Sequence, residues 1–533
     1  MKIISYPRTL GYLKVRRRFD GSRYETLVDS VYELGRPPMG EIFSRFEKDS
    51  SVAAITEDQL SSTEAAIDSP AGMLRPDRYR ELPVLMINNN GSLPRCHLEE
   101  YVYRAGSRWV WHNHFDVELF RRFFSEPFHP CAVYQPWFSQ DAPSSPKWKE
   151  PFELPGGPIL AYCGRLDPEK RIELLFYLLD IVRRSTDVAL VLTGTFNASP
   201  SGVEYRRKLQ ALVESLGLEE HVHLVGHIDR ESLWALQHRA SLMVNFTVNH
   251  DEAFGQAQAE ALSVGTPVVG AAWGGLKEVV TKDCGFLADT LVSDHGTYVD
   301  ILSAAAFTVE FLSDPQRQDY MAEAARKRGA SFQWSSFLQG LEQKLAGPPG
   351  PSLPPIPPSR QVNAVVEQVL SPALQERIKP FLNERAMEST IDDIHSIRNQ
   401  DRLGKEEWFR FALIDPPRHQ AFVREHYLFL YEAYGTETPE RASSRLTETS
   451  RLHPLRPSLQ VIANTASVDD LVFGSQIFEL DDHAAALLLA CTSRPTATFR
   501  QLTRSCQISQ ADAVEAATTL IGHGLILPTR GDT

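Results

Sequence analysis

The period of the apolar positions changes several times along the chain, and it is clearest between residues 152 and 345. Short continuous apolar runs alternate there with segments in which apolar residues return every third or fourth position. "PILAYCG" (158–164), "VALVLTG", "HVHLVG", "SLMVNF", "TPVVGAA" and "CGFLA" have strand length and are bounded by turn residues. "KRIELLFYLLDIVRR", "SGVEYRRKLQALVESLG" and "DRESLWALQHRA" carry the helical period, the last with Asp229 placed as its N-cap. Strands alternating with helices at this spacing predict a parallel sheet covered on both faces, a Rossmann-like α/β domain. Ligands of such sheets bind beyond the carboxyl ends of the strands.

The flanking segments have other textures. In 1–151, "KIISYP", "LPVLMIN", "RWVWHN" and "CAVYQPW" are expected strands of a reduced α/β domain, while 45–80 is polar and is expected to be a long loop or partly disordered. "AGPPGPSLPPIPPS", within 346–360, is a proline-rich linker. A helical region is expected over 361–450. The tail, 451–533, reads as a hairpin, three helices and a final strand, a winged-helix-like pattern.

One stretch concentrates chemistry: "HDEAFGQAQAEALSVGTPVVG", residues 250–270. A single helix would place Glu252 and Glu260 on different faces, so a loop followed by a helix beginning near Gly255 is the better reading. The amides of Phe254, Gly255 and Gln256 then face the crevice at a helix N-terminus, a place for an anion such as a diphosphate. The two carboxylates accept hydrogen bonds, so the hydroxyls of a ribose and a hexose are their natural partners. The loop "CGRLDPEKR" supplies the opposite charge, with Gly164 opening it and Arg165 and Lys170 suited to a diphosphate leaving group.

Charge narrows the partners. With 55 basic against 68 acidic residues the net charge is -13, which argues against a nucleic-acid surface or an anionic membrane as main partner. The helix "SQADAVEAATTLIGHG" of the tail, with Asp512 and Glu515 and no lysine or arginine, is badly charged for DNA. A docking module for a peptide or protein is the better reading. The six cysteines show no CxxC and no metal-ligand spacing, no apolar run is long enough to span a bilayer, and a cytoplasmic protein with reduced thiols is expected.

"GRLDPEKR", "HVHLVGHIDRESLWALQHRASLMVN" and "DEAFGQAQAEALSVGTPVVGAAWGGLKEVV" resemble the nucleotide-binding half of retaining GT-B glycosyltransferases of the family-4 type, the glycosyl transferases group 1. The resemblance covers about 158–290 and extends to 345 through "ASFQWSSFLQGLEQKL", similar to that family's closing helix. It implies two Rossmann-like domains, a nucleotide-diphosphate sugar as donor substrate, retention at the anomeric carbon, and no metal or other cofactor. It also implies that Arg165 and Lys170 contact the donor diphosphate, Glu252 the donor sugar, Glu260 the ribose, and the Phe254 and Gly255 amides the phosphate or sugar. His227 and Ile228 stand where that family holds the base. Two departures are visible: Ala253 replaces the usual glycine, and "ISYPRTLGYLKV" has a lone Gly11 where a glycine-rich loop is usual.

In "WVWHNHFD", His112 and His114 end an expected strand and are candidates for acid or base work beside the reacting sugar, with packing or capping as the alternative. Asn88, Asn89, Asn90 and Gly91 make a turn first and an acceptor contact second. The expected activity is glycosyl transfer to an acceptor that would be a peptide or protein if the tail docks it. The alternatives are a sugar-nucleotide-binding protein without transferase activity and a scaffold or regulator acting through 361–533.

Overall fold

A computed structural model describes residues 2–5, 25–28, 65–68, 84–87, 108–123, 126–137, 139, 146–150, 152–196, 200–248, 252–293, 296–345, 434–472 and 474–528. The chain divides into two compact units, one of residues 1–141 with 331–409, the other of 142–330 with 410–533.

The first unit holds β1 (Lys2–Ser5), β2 (Glu25–Val28), β3 (Ala65–Asp68), β4 (Val84–Ile87), β5 (Arg108–Trp111), α1 (His114–Phe123) and β6 (Ala132–Tyr134). All six strands are parallel, in the order β2-β1-β3-β4-β5-β6. The four expected strands are present, but β3 lies inside the polar stretch that sequence reads as loop. Its run "AAID" is short and flanked by polar residues, and its pairing with both β1 and β4 makes it a strand. Among the described residues this sheet has six strands, as does that of the second unit.

The second unit opens with β7 (Ile159–Cys163), α2 (Ile172–Arg183), β8 (Ala189–Thr193), α3 (Pro200–Ser215), β9 (Val222–Gly226), α4 (Arg230–Arg239), β10 (Leu242–Asn245), α5 (Gln256–Ser263), β11 (Val268–Ala271), α6 (Leu276–Val279) and β12 (Gly285–Ala288). A hairpin of β13 (Thr290–Ser293) and β14 (Gly296–Val299) follows, then α7 (Ile301–Ser313) and α8 (Pro315–Ala330). Strands β7, β8, β10 and β11 are buried along their length, as continuous apolar runs in a doubly covered parallel sheet should be. The sheet order is β12-β11-β10-β7-β8-β9, all parallel. Chain direction across the sheet therefore reverses between β7 and β10, and the loops leaving these two neighbours part to open a crevice at their carboxyl ends. Asp229 caps α4 as expected, accepting from the Ser232 amide at 2.7 Å.

Helix α2 begins later than its apolar period suggests. Pro168–Lys170 forms a separate 3₁₀ turn, and Arg171, at φ 52° and ψ 49°, breaks the spiral before Ile172. After α8, α9 (Trp334–Leu345) belongs to the first unit, where Phe337 packs edge-on against Trp137 and Lys344 donates to Gln135 Oε1 at 3.0 Å.

The proline-rich linker, the helices expected up to residue 433, and Asn88 to Gly91 lie outside the described residues. From 434 onward a carboxyl-terminal module comprises α10 (Pro439–Ser444), β15 (Leu452–Pro454), β16 (Leu459–Ile462), β17 (Thr465–Asp470), β18 (Gly474–Glu479), α11 (Asp482–Ser493), α12 (Phe499–Cys506), α13 (Gln510–Gly522) and β19 (Ile526–Pro528). The three expected helices and final strand are present. The expected hairpin is a three-stranded antiparallel meander, β16-β17-β18, while β19 pairs with β15. Asp512 is held by Ser509 at the start of α13, its Oδ2 accepting from the hydroxyl at 2.6 Å.

The module is fastened to the rest of the second unit by polar contacts. His453 Nε2 lies 2.8 Å from Asp300 Oδ2, and Asp300 also caps α7. Burial by itself disfavours charge on both groups, but each outweighs that cost for the other: the His453 pKa is raised and the Asp300 pKa lowered. The His453 contribution is complete below the unfolded histidine value near about 6.5 and is lost as pH rises through the raised folded value. The Asp300 contribution is present above an unfolded value near about 3.9 and is lost as pH falls through the lowered one. Thermal unfolding followed from pH 6 to 9 should show a falling midpoint that flattens in His453→Gln. Parallel curves for the two proteins would remove this pair from the account of pH-dependent stability.

Candidate functional site

The site is built where β7 and β10 diverge. Gly164 leaves β7 exposed at its carboxyl end, and its amide donates to the Thr193 carbonyl at 3.1 Å. A side chain at the neighbouring Gly194 would overlap the Gly164 carbonyl oxygen, so the loops after β7 and β8 can pass this closely only with glycine there. Arg165 then turns outward, 55% exposed, with Nη1 2.7 Å from Asp167 Oδ2. Tyr162 donates its hydroxyl to the Arg165 carbonyl at 2.7 Å. Burial holds that phenol well above its usual pKa, with the nearby Glu252 charge adding to the shift.

Lys170 comes from the 3₁₀ turn of the same loop, and Glu252 from the loop after β10. Their side chains meet with Nζ 3.0 Å from Oε2, at 16% and 13% exposure. The two residues are 82 positions apart and are joined because β7 and β10 are neighbours in the sheet. Ala253 and Phe254 are buried, and Gly255 caps α5 at φ 89°. A side chain there would be strained by that φ and would meet Leu276 Cδ2 at 2.7 Å. Because α5 starts at Gln256, the amides of its first turn have no acceptor within the helix. Its positive dipole end lies beside the Lys170–Glu252 pair.

Glu260 stands one turn into α5, 3% exposed. Its Oε1 accepts from Arg230 Nη2 at 2.5 Å and from Gln256 Nε2 at 2.9 Å. Burial raises the neighbouring Cys163 thiol pKa, with the Glu260 charge contributing. His227 is exposed and Ile228 buried immediately after β9, on the loop that leads to Arg230. The fold thus gathers Gly164, Arg165, Lys170, His227, Ile228, Glu252, Phe254, Gly255 and Glu260 on loops and helix starts at the carboxyl ends of β7, β9 and β10.

Three participants escape a reading by residue type alone. Asp167 orients Arg165, Arg230 orients Glu260, and Gly275 lets the "WGGL" turn touch the Glu252 loop: its amide donates to the Glu252 carbonyl at 2.8 Å, and any side chain at 275 would overlap the Ala253 carbonyl. The Asp-Pro step and the glycine pair were the available signals.

His112 and His114 belong to the first unit and differ from each other. His112 is buried against Trp137 and Phe337, with Nδ1 2.9 Å from the Gln135 carbonyl. A carbonyl only accepts, so Nδ1 carries the proton and Nε2 is a bare acceptor with no partner among the described residues. Burial lowers its pKa to about 4, against which the carbonyl contact is a smaller opposing effect. At pH 7 His112 is therefore a neutral imidazole, because charging it would require solvation that the aromatic cage denies. His114 is exposed, opens α1 and stacks on Tyr134 at 3.6 Å between ring centres. Among the described residues no cluster of histidine, cysteine, aspartate or glutamate is arranged to hold a metal ion, and no helix is long and apolar enough to cross a membrane.

Comparison with known proteins places this geometry. Residues 144–328 match the family model "Glycosyl transferases group 1". The D-inositol 3-phosphate glycosyltransferase of Xylanimonas cellulosilytica is 32% identical over 212 residues, 39% of this chain and 47% of that protein. The protein of the same description from Kineococcus radiotolerans is 34% identical over 192 residues, 34% of this chain and 42% of its own length. The chain spans less than half the length of these curated relatives. Among solved structures, sucrose-phosphate synthase from Thermosynechococcus elongatus aligns with 64% of this chain and 98% of its own, at 17% identity and TM-score 0.47. A glycosyltransferase from Rickettsia africae aligns at 14% identity and TM-score 0.48, covering 64% and 97%. The family match lies within residues 144–328, the segment that carries the parallel sheet of the second unit.

Proposed function

We propose that the protein is a retaining, metal-independent glycosyltransferase that takes a sugar from a nucleotide-diphosphate donor and passes it to a peptide or protein acceptor. The observation that carries this reading is the meeting of Lys170 and Glu252 at the switch point of the second sheet, 3.0 Å apart beside the N-terminus of α5. A diphosphate suits the helix end, Lys170 and Arg165, which neutralise charge as the nucleoside diphosphate departs. Glu252 orients hexose hydroxyls, Glu260 takes the ribose hydroxyls, and His227 and Ile228 flank the base. The resemblance to retaining glycosyltransferases supports retention.

The peptide part of the proposal rests on the carboxyl-terminal module. Strand β18 is an edge of its sheet, and Ile477 on it is 73% exposed. An edge of this kind can pair with an extended peptide through main-chain hydrogen bonds.

The test is thermal unfolding with a panel of UDP-, GDP- and ADP-sugars, run on wild type and on the Arg165→Ala, Glu260→Ala double variant. Free ligand at about 100 times its dissociation constant should add roughly 2.7 kcal/mol. One donor base stabilising the wild type and leaving the double variant unmoved supports the reading. No stabilisation by any donor leaves only a shared fold, and 434–533 becomes the working part.

A further inference from the structure

The carboxyl-terminal module contacts two segments that lead to the Lys170–Glu252 pair, Arg171 next to Lys170 and the Gly274–Lys277 turn that holds the Glu252 loop. Arg171 is the joint between the turn that carries Lys170 and helix α2, and it is held in the left-handed region, which a side chain rarely adopts without restraint. The restraint is a buried ionic cluster. Arg171, 3% exposed, donates through Nε to Glu173 Oε1 at 2.5 Å and through Nη2 to Asp470 Oδ2 at 3.0 Å. Glu173 is fixed in turn by the Tyr205 hydroxyl at 2.6 Å, and that hydroxyl accepts from the Ile172 amide at 3.0 Å. Asp470 ends β17 of the module, 299 residues along the chain from Arg171, and its other oxygen accepts from the Val472 amide at 2.9 Å. On the Glu252 side, the Tyr434 carbonyl accepts from the Gly274 amide at 3.0 Å, and the next amide, Gly275, donates to the Glu252 carbonyl at 2.8 Å. Lys277 Nζ donates to the Gly435 carbonyl at 3.2 Å.

From this geometry we infer that Asp470 is a positioning residue for Lys170, so that the carboxyl-terminal module completes the diphosphate subsite of the donor site. The inference rests on the reading of Lys170 given under Proposed function. Arg171 remains a cation at any working pH and cannot be neutralised by losing a proton. With Asp470 in place it has two carboxylates in a fixed fork, and its backbone angle sets the direction in which Lys170 leaves the loop. With Asp470 uncharged, the cluster loses one of the two carboxylates that hold the guanidinium. The guanidinium then has less to hold its backbone in a costly conformation, and Lys170 no longer points reliably at the crevice. The group affected is the one aimed at the diphosphate, while the base and ribose positions on β9 and α5 are untouched.

The test uses the full chain and measures affinity by calorimetry for UDP, GDP and ADP and for the matching monophosphates. The proteins are wild type, Asp470→Asn, Lys170→Ala and the double variant. Asp470→Asn should weaken the preferred diphosphate about two- to 150-fold, the range of coupling between residues of one salt-bridge network, and the monophosphate much less. Lys170→Ala should show the same loss of selectivity, and the double variant no further loss. Asp470→Glu, which keeps the charge, should recover part of it, and it carries the same readout if Asp470→Asn does not fold. Equal weakening of diphosphate and monophosphate, or additive losses in the double variant, overturns the inference while leaving the donor site standing. A wild type that binds no nucleoside diphosphate brings down the donor-site reading and this inference with it.

Discussion

Replacing Lys170 with alanine is expected to lower turnover of the preferred nucleotide sugar on the order of 10²- to 10³-fold, the cost of removing one group aimed at developing charge. The effect should fall mainly on kcat, because the diphosphate gains charge as the glycosidic bond breaks and an ammonium held nearby stabilises the product side more than the ground state. The ion pair with Glu252 explains why the lysine is ready for this. At 16% and 13% exposure both side chains are largely removed from water, so the pair is screened less than a surface pair and keeps the ammonium in the crevice before donor arrives. Lys170→Arg should recover part of the rate, since charge is kept while the point donor becomes a broader fork. Donor hydrolysis and transfer assayed together, with a melting curve to confirm folding, are the measurement. Turnover within threefold of wild type would remove Lys170 from leaving-group stabilisation.

The second large effect is expected at Glu260. Its carboxylate is oriented by Arg230 and Gln256, so alanine removes an acceptor and leaves the Arg230 guanidinium facing an empty position. Hydrogen bonds to a charged acceptor contribute about 1.5–3 kcal/mol each, so nucleoside diphosphate affinity should fall about 10- to 100-fold. Inorganic pyrophosphate, which has no ribose, should bind Glu260→Ala and wild type alike. Glu260→Gln should lie between, keeping one acceptor oxygen and losing the charge. If pyrophosphate weakens as much as the nucleotide, Glu260 supports the loop rather than the ribose.

Both effects depend on residues whose type and order were visible before their geometry. The alternation of apolar runs with amphipathic stretches from 152 to 330 identified strands and helices because each signal is local: a period, a capping aspartate, a glycine where a helix must start. Asp229 and Gly255 are of this kind, and so is the placement of Glu252 in a loop and Glu260 on a helix. The charge complementarity of "GRLDPEKR" and "DEAFG" was equally legible, since ionic character does not wait for folding.

Tertiary structure decided what local windows do not contain. Lys170 reaches Glu252 because the sheet order makes β7 and β10 neighbours, a pairing that depends on every other strand. Arg171 ends one turn and begins the next helix against its own apolar period, because Glu173 and an aspartate 299 positions away hold it there. Strand β3 looked like loop because four residues in a polar stretch become a strand only between two partners. His112 was a candidate acid or base by type, and the aromatic cage that keeps it neutral is assembled from Trp137 and Phe337, the latter reaching it from far along the chain. Residue chemistry and period were therefore determined by the sequence alone. Burial and long-range pairing, which set where charge is stable and which groups meet, were decided by the fold.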